Sequence, residues 1–287
     1  MMKKSFLTPG ALLLQGSMAA ALLLSSGCVY SHDPDPNVYP KPPEGFFGRR
    51  TQVPLRAEKA DVAVIFVGGF AGRYLTRMRA VYERMPVLPV PGKQYRAFYD
   101  WDGGDGMLFL NNVNNMVRDV QTFLAVNPKA DLIFIGHSYG GSAVMDVLRQ
   151  VTNPHGRIIV VTIDPVSRKT RSLPRQRARG IDYWINIYCD DVRVPIDYVV
   201  KLGGVWKNCP QADENIRFLG TARDDKGDLY RHTRPEPLFF ERMDDCPETP
   251  YERLLRACER LQIGKNAAAN GAMNGSANAA ATPSPRR

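Results

Sequence analysis

Short apolar runs that alternate with stretches of helical periodicity constrain the fold of this chain more than any other feature. The runs occupy Val62 to Val67, Tyr95 to Tyr99, Leu132 to Ile135, Ile158 to Ile163, Tyr183 to Tyr188 and Ile216 to Leu219. Several are almost continuously apolar, as strands buried on both faces are. The pattern predicts an α/β domain over residues 61–264, with a mostly parallel central sheet and helices on both of its faces.

The helices are predicted from apolar side chains that recur at steps of three and four residues. These stretches are Tyr74 to Met85, Val113 to Leu124, Ala143 to Leu148 and Leu254 to Leu261. The chain is 44% hydrophobic and 23% charged, a composition that supplies a sizeable core for one domain.

Residues 136–140 read Gly-His-Ser-Tyr-Gly and lie between a predicted strand and a predicted helix. In a sharp strand-to-helix turn the central serine takes a strained backbone conformation, so the residues two before and two after it must be small. The serine hydroxyl then projects above the sheet at a helix N-terminus. The motif therefore predicts Ser138 as a nucleophile.

This strand, motif and helix, followed by an acid and a histidine in that order, resemble the α/β-hydrolase superfamily, and its lipases and esterases in particular. The resemblance covers roughly residues 61–240 and implies a fold of that type and a catalytic Ser, Asp or Glu, His triad. The interval between Asp164 and Asp182 is too short for the helical cap that many relatives insert there. We therefore expect no large cap domain.

A serine nucleophile needs an imidazole base, and the chain has four histidines. His32 lies in a Pro-rich segment, His137 lies inside the turn with its side chain expected to point away from the nucleophile, and His155 precedes a strand at the far end of the sheet. His232 follows the last strand, where the family places its base. Elimination and topology therefore both favour His232.

The triad acid has two candidate positions, because aspartates end two consecutive strands. Asp164 ends one strand, and Asp190 and Asp191 end the next. The later strand is the more frequent site in the superfamily, but the segment Thr162 to Val166 resembles the one that carries the acid in pancreatic-type lipases. We favour Asp164, with Asp190 or Asp191 as the alternative acid.

The resemblance also implies an oxyanion hole formed by two backbone N–H groups. One belongs to Tyr139, next to the nucleophile, and the other to Phe70, in the loop after the first strand. The family has a histidine in that loop where this chain has Gly68.

These features predict a serine hydrolase that cleaves carboxylic esters through an acyl-enzyme on Ser138, without a cofactor or metal. The substrate is expected to be a small-molecule or lipid ester. A thioesterase or a peptidase would use the same residues, and a non-catalytic lipoprotein that binds ligands on this fold is a further alternative.

The N-terminal segment predicts export. Lys3 and Lys4 precede a largely apolar stretch, and residues 24–28, Leu-Ser-Ser-Gly-Cys, resemble the lipobox of bacterial lipoproteins. We expect a signal peptide over 1–27 and lipidation of Cys28, which would anchor the protein in the outer membrane. An ordinary secretory signal, giving a periplasmic or secreted protein, is the alternative.

The segments around the domain differ from it in composition. Residues 28–60 are Pro-rich and predict an extended tether, whereas residues 265–287 are rich in Ala, Asn, Gly and Ser and predict a disordered tail. A cluster of Arg and Lys over residues 168–179 contributes to the net charge of +9. Two interpretations are open: the cluster faces anionic lipid headgroups, or it lies in a solvated loop. No nucleic-acid-binding motif accompanies it, so nucleic acid is not an expected partner.

Four cysteines follow Cys28, an even number that suits disulfides in an oxidising compartment. The simplest of the three possible pairings joins Cys189 with Cys209 and Cys246 with Cys258.

Overall fold

The computed structural model describes residues 53–69, 77–99, 113–152, 154–166, 177–190, 204, 206–243 and 246–265. The predicted signal peptide, Cys28 and nearly all of the predicted tail lie outside these residues.

A six-stranded parallel sheet forms the centre of the described chain. Its strands are β1 (Val62–Val67), β2 (Gln94–Tyr99), β3 (Asp131–His137), β4 (Ile158–Ile163), β5 (Tyr183–Cys189) and β6 (Glu214–Phe218). They lie in the order β2-β1-β3-β4-β5-β6, and every pairing is parallel. This confirms the predicted α/β class and its parallel sheet, and each strand overlaps one of the predicted apolar runs.

The helices cover both faces of the sheet. They are α1 (Arg77–Arg84), α2 (Asn114–Val126), α3 (Tyr139–Leu148), α4 (Pro235–Phe240) and α5 (Pro250–Leu261). Side chains of α1, α4 and α5 share one apolar cluster with one face of the sheet, and those of α2 and α3 share a second cluster with the other face.

Strand alternation explains the two clusters. In β1, Val64 and Phe66 belong to the first cluster, and Ile65 and Val67 to the second. Successive side chains of a strand point to opposite faces, so an uninterrupted apolar run supplies both cores at once.

Helix α4 was not predicted, because two of its six residues are prolines. Pro235 is tolerated at the first turn, where its missing N–H has no helical partner. Leu238 and Phe239 are fully buried and add to the first cluster.

The packed domain begins before the predicted boundary at residue 61. Val53 exchanges two backbone hydrogen bonds with Phe98, each 2.8 Å, and the backbone N–H of Leu55 donates to the Tyr99 hydroxyl at 2.7 Å. Val53 and Leu55 are buried, so the last part of the predicted tether packs on the sheet.

The expectation of disulfides is wrong for the described residues, because all four described cysteines are free thiols. Cys189 packs in the first apolar cluster and Cys209 in the second, on opposite faces of the sheet. The Cys246 thiol donates to the Glu248 carbonyl at 3.1 Å, while Cys258 is buried in α5, where burial raises the pKa of its thiol to about 12.

The strand order has a topological switch point between β1 and β3, where the direction in which strands are added to the sheet reverses. From β1 the chain adds β2 on one side, and it then returns to add β3 and the remaining strands on the other. Ligand sites of open parallel sheets lie outside the carboxyl ends of the strands at such a point.

Candidate active site

Ser138 lies directly after β3, at this switch point. Its backbone has φ 56° and ψ −128°, a conformation that few non-glycine residues adopt, and α3 begins at the next residue. The Ser138 N–H donates to the Ile163 carbonyl at 3.0 Å, and its own carbonyl accepts from the N–H groups of Gly141 and Val166, both at 3.0 Å. These three bonds hold the strained turn in place, because a strained backbone persists only where its surroundings fix it.

Close backbone contacts explain the glycines around the serine. A Cβ on Gly136 would lie 2.8 Å from the Gly140 carbonyl oxygen, and one on Gly140 would overlap the carbonyl oxygen of Val67. A Cβ on Gly69, in the loop after β1, would lie 2.7 Å from the Cβ of Ser138. Larger residues at these positions would move the turn or Ser138.

The structure brings Ser138, His232 and Asp164 into one chain of hydrogen bonds. His232 lies in the loop between β6 and α4, and its Nε2 is 2.8 Å from the Ser138 Oγ. Its Nδ1 is 2.7 Å from Asp164 Oδ2. Because a carboxylate accepts, Nδ1 carries the ring proton of the neutral imidazole, and Nε2 is left to accept from the serine hydroxyl.

The environment of Asp164 suits a buried carboxylate. The residue is 0% exposed and follows β4 with a φ of 42°. Its Oδ2 binds His232, and its Oδ1 accepts from the backbone N–H of Cys189 at 3.0 Å. These partners offset the cost of removing the charge from water.

The alternative acid Asp190 has different partners. Its carboxylate pairs with Arg217 and with the Lys207 ammonium, the latter at 3.5 Å. Asp191 lies outside the described residues. Of the two described candidates, Asp164 is therefore the one whose carboxylate contacts His232.

The other described histidines do not contact the serine hydroxyl. His155 is exposed and precedes β4, at the amino ends of the strands. His137 is buried, and its Nε2 lies 2.7 Å from the backbone carbonyl oxygen of His232. No function was predicted for His137, because nothing in the sequence indicates which backbone group its ring contacts.

The structure describes one of the two residues predicted to form the oxyanion hole. Tyr139 is the first residue of α3, directly after Ser138. Phe70 lies outside the described residues, but Gly69 before it packs against Ser138, so the loop after β1 reaches the serine. The Gly68 N–H donates to the Tyr99 carbonyl at 2.8 Å and fixes the start of that loop.

Polar contacts support the loop that carries His232. The Tyr230 hydroxyl donates to Glu241 at 2.9 Å, and burial, aided by this carboxylate, raises the pKa of Tyr230. Arg234 forms ion pairs with Asp224 and Asp228. These contacts were not predicted either, because they depend on how the loop folds.

Within the described part of the chain, no group of three or more His, Cys, Asp or Glu side chains is arranged to hold a metal ion. Among the same residues, no helix combines the length and apolar character needed to cross a membrane.

Comparison with known proteins adds little to this geometry. No protein-family profile matches the chain, and no curated protein matches its sequence. A solved structure with some similarity is "Epoxide hydrolase CorEH without ligand", at 12% sequence identity and a TM-score of 0.24. The match covers 49% of this chain and 42% of that one, so this chain spans less than half the length of the epoxide hydrolase.

Proposed function

We propose that this protein is a serine hydrolase of the α/β-hydrolase type that cleaves carboxylic esters through an acyl-enzyme. The hydrogen-bonded chain Ser138–His232–Asp164 carries the proposal. Its members follow β3, β6 and β4, so residues distant in sequence converge on one strained serine. A purely structural serine has no need of a base and a buried acid in this order.

The proposed reaction starts with a proton transfer. The Ser138 Oγ attacks the ester carbonyl carbon while its proton passes to Nε2 of His232. The imidazolium that forms is stabilised by the Asp164 carboxylate 2.7 Å from Nδ1. His232 then returns the proton to the leaving alcohol, which departs and leaves the acyl group on Ser138.

Deacylation repeats these steps with water. His232 takes a proton from the attacking water, and the serine recovers it as the acid product leaves. During both steps the carbonyl oxygen carries negative charge, for which the backbone N–H groups of Tyr139 and Phe70 are the proposed donors. Loss of one such donor costs about 3 kcal/mol of transition-state stabilisation.

The test is hydrolysis by the purified domain of a panel of p-nitrophenyl esters, matched thioesters and peptide amides. We expect turnover of esters by the wild type and none by Ser138→Ala. Preferential turnover of thioesters or amides would change the substrate class, and equal turnover by both proteins would refute a mechanism through Ser138.

For its location we propose export and anchoring through lipid on Cys28, from the N-terminal sequence alone. An acylated anchor would place the domain next to membrane lipids, which are one source of ester substrates.

A further inference from the structure

His137 contacts the base directly but takes no part in the proposed reaction. It is the last residue of β3, it is 3% exposed, and its Nε2 lies 2.7 Å from the carbonyl oxygen of His232. A carbonyl oxygen only accepts hydrogen bonds, so Nε2 of His137 must carry a proton and donate it.

The surroundings of His137 keep its ring neutral. Burial lowers the pKa of His137 well below its ordinary value, and the positive charges of a protonated His232 and of Arg77 lower it further. The hydrogen bond to the His232 backbone raises this pKa, but by less than burial lowers it. The ring centroids of His137 and His232 are 5.0 Å apart. A neutral ring so close adds no positive charge that would oppose proton uptake by His232.

The bond also links the base to the nucleophile through the main chain. The ring of His232 is oriented by Asp164, but its backbone lies in a loop between β6 and α4. His137 immediately precedes Ser138 and belongs to the strand that fixes the nucleophile. One hydrogen bond therefore ties the loop that carries His232 to β3, the strand that precedes Ser138.

We infer that His137 is a positioning residue whose Nε2–H, by donating to the His232 carbonyl, holds the base within hydrogen-bonding distance of Ser138. This inference rests on the proposed function. A displacement of about 1 Å in such a site costs about 10²-fold in rate, so a bond that fixes the base has a kinetic effect.

Two substitutions separate positioning from packing. His137→Phe keeps an aromatic ring of similar size but removes the donor, and His137→Gln keeps an N–H donor on a flexible side chain. The assay is the rate of labelling by a fluorophosphonate, resolved into reversible binding and covalent inactivation, with thermal unfolding measured in parallel.

We expect His137→Phe to slow the inactivation step about 10- to 100-fold, with reversible binding changed less than about 2-fold. If His137→Phe loses the full factor of about 100, His137→Gln should be inactivated at least about 10-fold faster than His137→Phe, because the donor is restored. The inference is refuted if His137→Phe is inactivated at the wild-type rate. It is also refuted if both variants lose inactivation rate equally and in proportion to their loss of thermal stability.

A spectroscopic measurement tests the bond without catalysis. In ¹⁵N-histidine NMR of the wild-type protein, His137 should remain the neutral Nε2–H tautomer between about pH 6 and 8, where an ordinary histidine titrates. A neutral ring in the Nδ1–H tautomer, which lacks this donor, would refute the inference even if neither variant folds. If the wild type itself is not labelled, the serine hydrolase proposal fails, and the positioning role fails with it.

Discussion

Replacement of Asp164 by Asn is the substitution whose effect follows most directly from the geometry. In the wild type, Asp164 Oδ1 accepts from the Cys189 N–H at 3.0 Å, and Oδ2 accepts from His232 Nδ1 at 2.7 Å. An asparagine has one oxygen and one NH₂ group. The Cys189 N–H can only donate, so the asparagine oxygen must face Cys189 and its NH₂ group must face His232.

That orientation gives His232 the wrong tautomer. The asparagine NH₂ donates to Nδ1, so the ring proton moves to Nε2, which then has no lone pair to take the proton of Ser138. In serine proteases the same loss lowers kcat about 10⁴-fold, equivalent to about 5 kcal/mol of activation free energy. We expect a loss of this order in ester hydrolysis by Asp164→Asn.

Stability should change little in the same variant. Asparagine has the shape of aspartate, keeps the bond to Cys189 and removes a buried charge, so we expect the free energy of unfolding to change by about 1 kcal/mol. Urea unfolding followed by tryptophan fluorescence measures this.

Asp190→Asn is the matched control. Its carboxylate pairs with Arg217 and Lys207, whose side chains are 57% and 45% exposed, so its loss should lower kcat less than about 3-fold. The reasoning is refuted if Asp190→Asn loses more activity than Asp164→Asn, or if Asp164→Asn keeps its rate within about 10-fold of the wild type.

Three further predictions test other parts of the structure. Gly69→Ala should reduce esterase activity severely, because its Cβ would lie 2.7 Å from the Cβ of Ser138 and displace the nucleophile; wild-type kinetics in this variant would contradict that contact. The domain from residue 53 onward, unfolded without reductant, should react with four equivalents of a thiol reagent, since its four described cysteines are free; two equivalents or fewer would indicate a disulfide. Cys28→Ser should shift the full-length protein from the detergent phase to the aqueous phase, or leave it unprocessed, if acyl chains on Cys28 supply the membrane affinity; unchanged partitioning would contradict the proposed anchor.

The strands were predictable because burial on both faces leaves an uninterrupted apolar run in the sequence. β4, with its run Ile158–Ile163, was predicted to the residue. β6 was the least regular, because only two of its five residues are buried and its predicted range was displaced toward its carboxyl end. Helix α4 was missed because prolines interrupt its periodicity.

The candidate site was predictable to the extent that local sequence encodes it. The glycines around Ser138 reflect backbone contacts within one turn and with β1, and this glycine pattern is the reason that the sequence predicts Ser138 as a nucleophile. The choice between Asp164 and Asp190 needed the fold. Arg217, which pairs with Asp190, lies on β6 opposite Tyr188 of β5, a register that the sequence does not show.

The central claim is that Ser138 is an activated nucleophile, and covalent labelling tests it most directly. The purified wild type should be incubated with a fluorophosphonate and examined by intact mass and by peptide mapping. The account predicts one adduct per chain, on the peptide that contains Ser138, and no adduct in Ser138→Ala or after denaturation of the wild type. Absence of an adduct in the folded wild type, or an adduct that persists in Ser138→Ala, would contradict it.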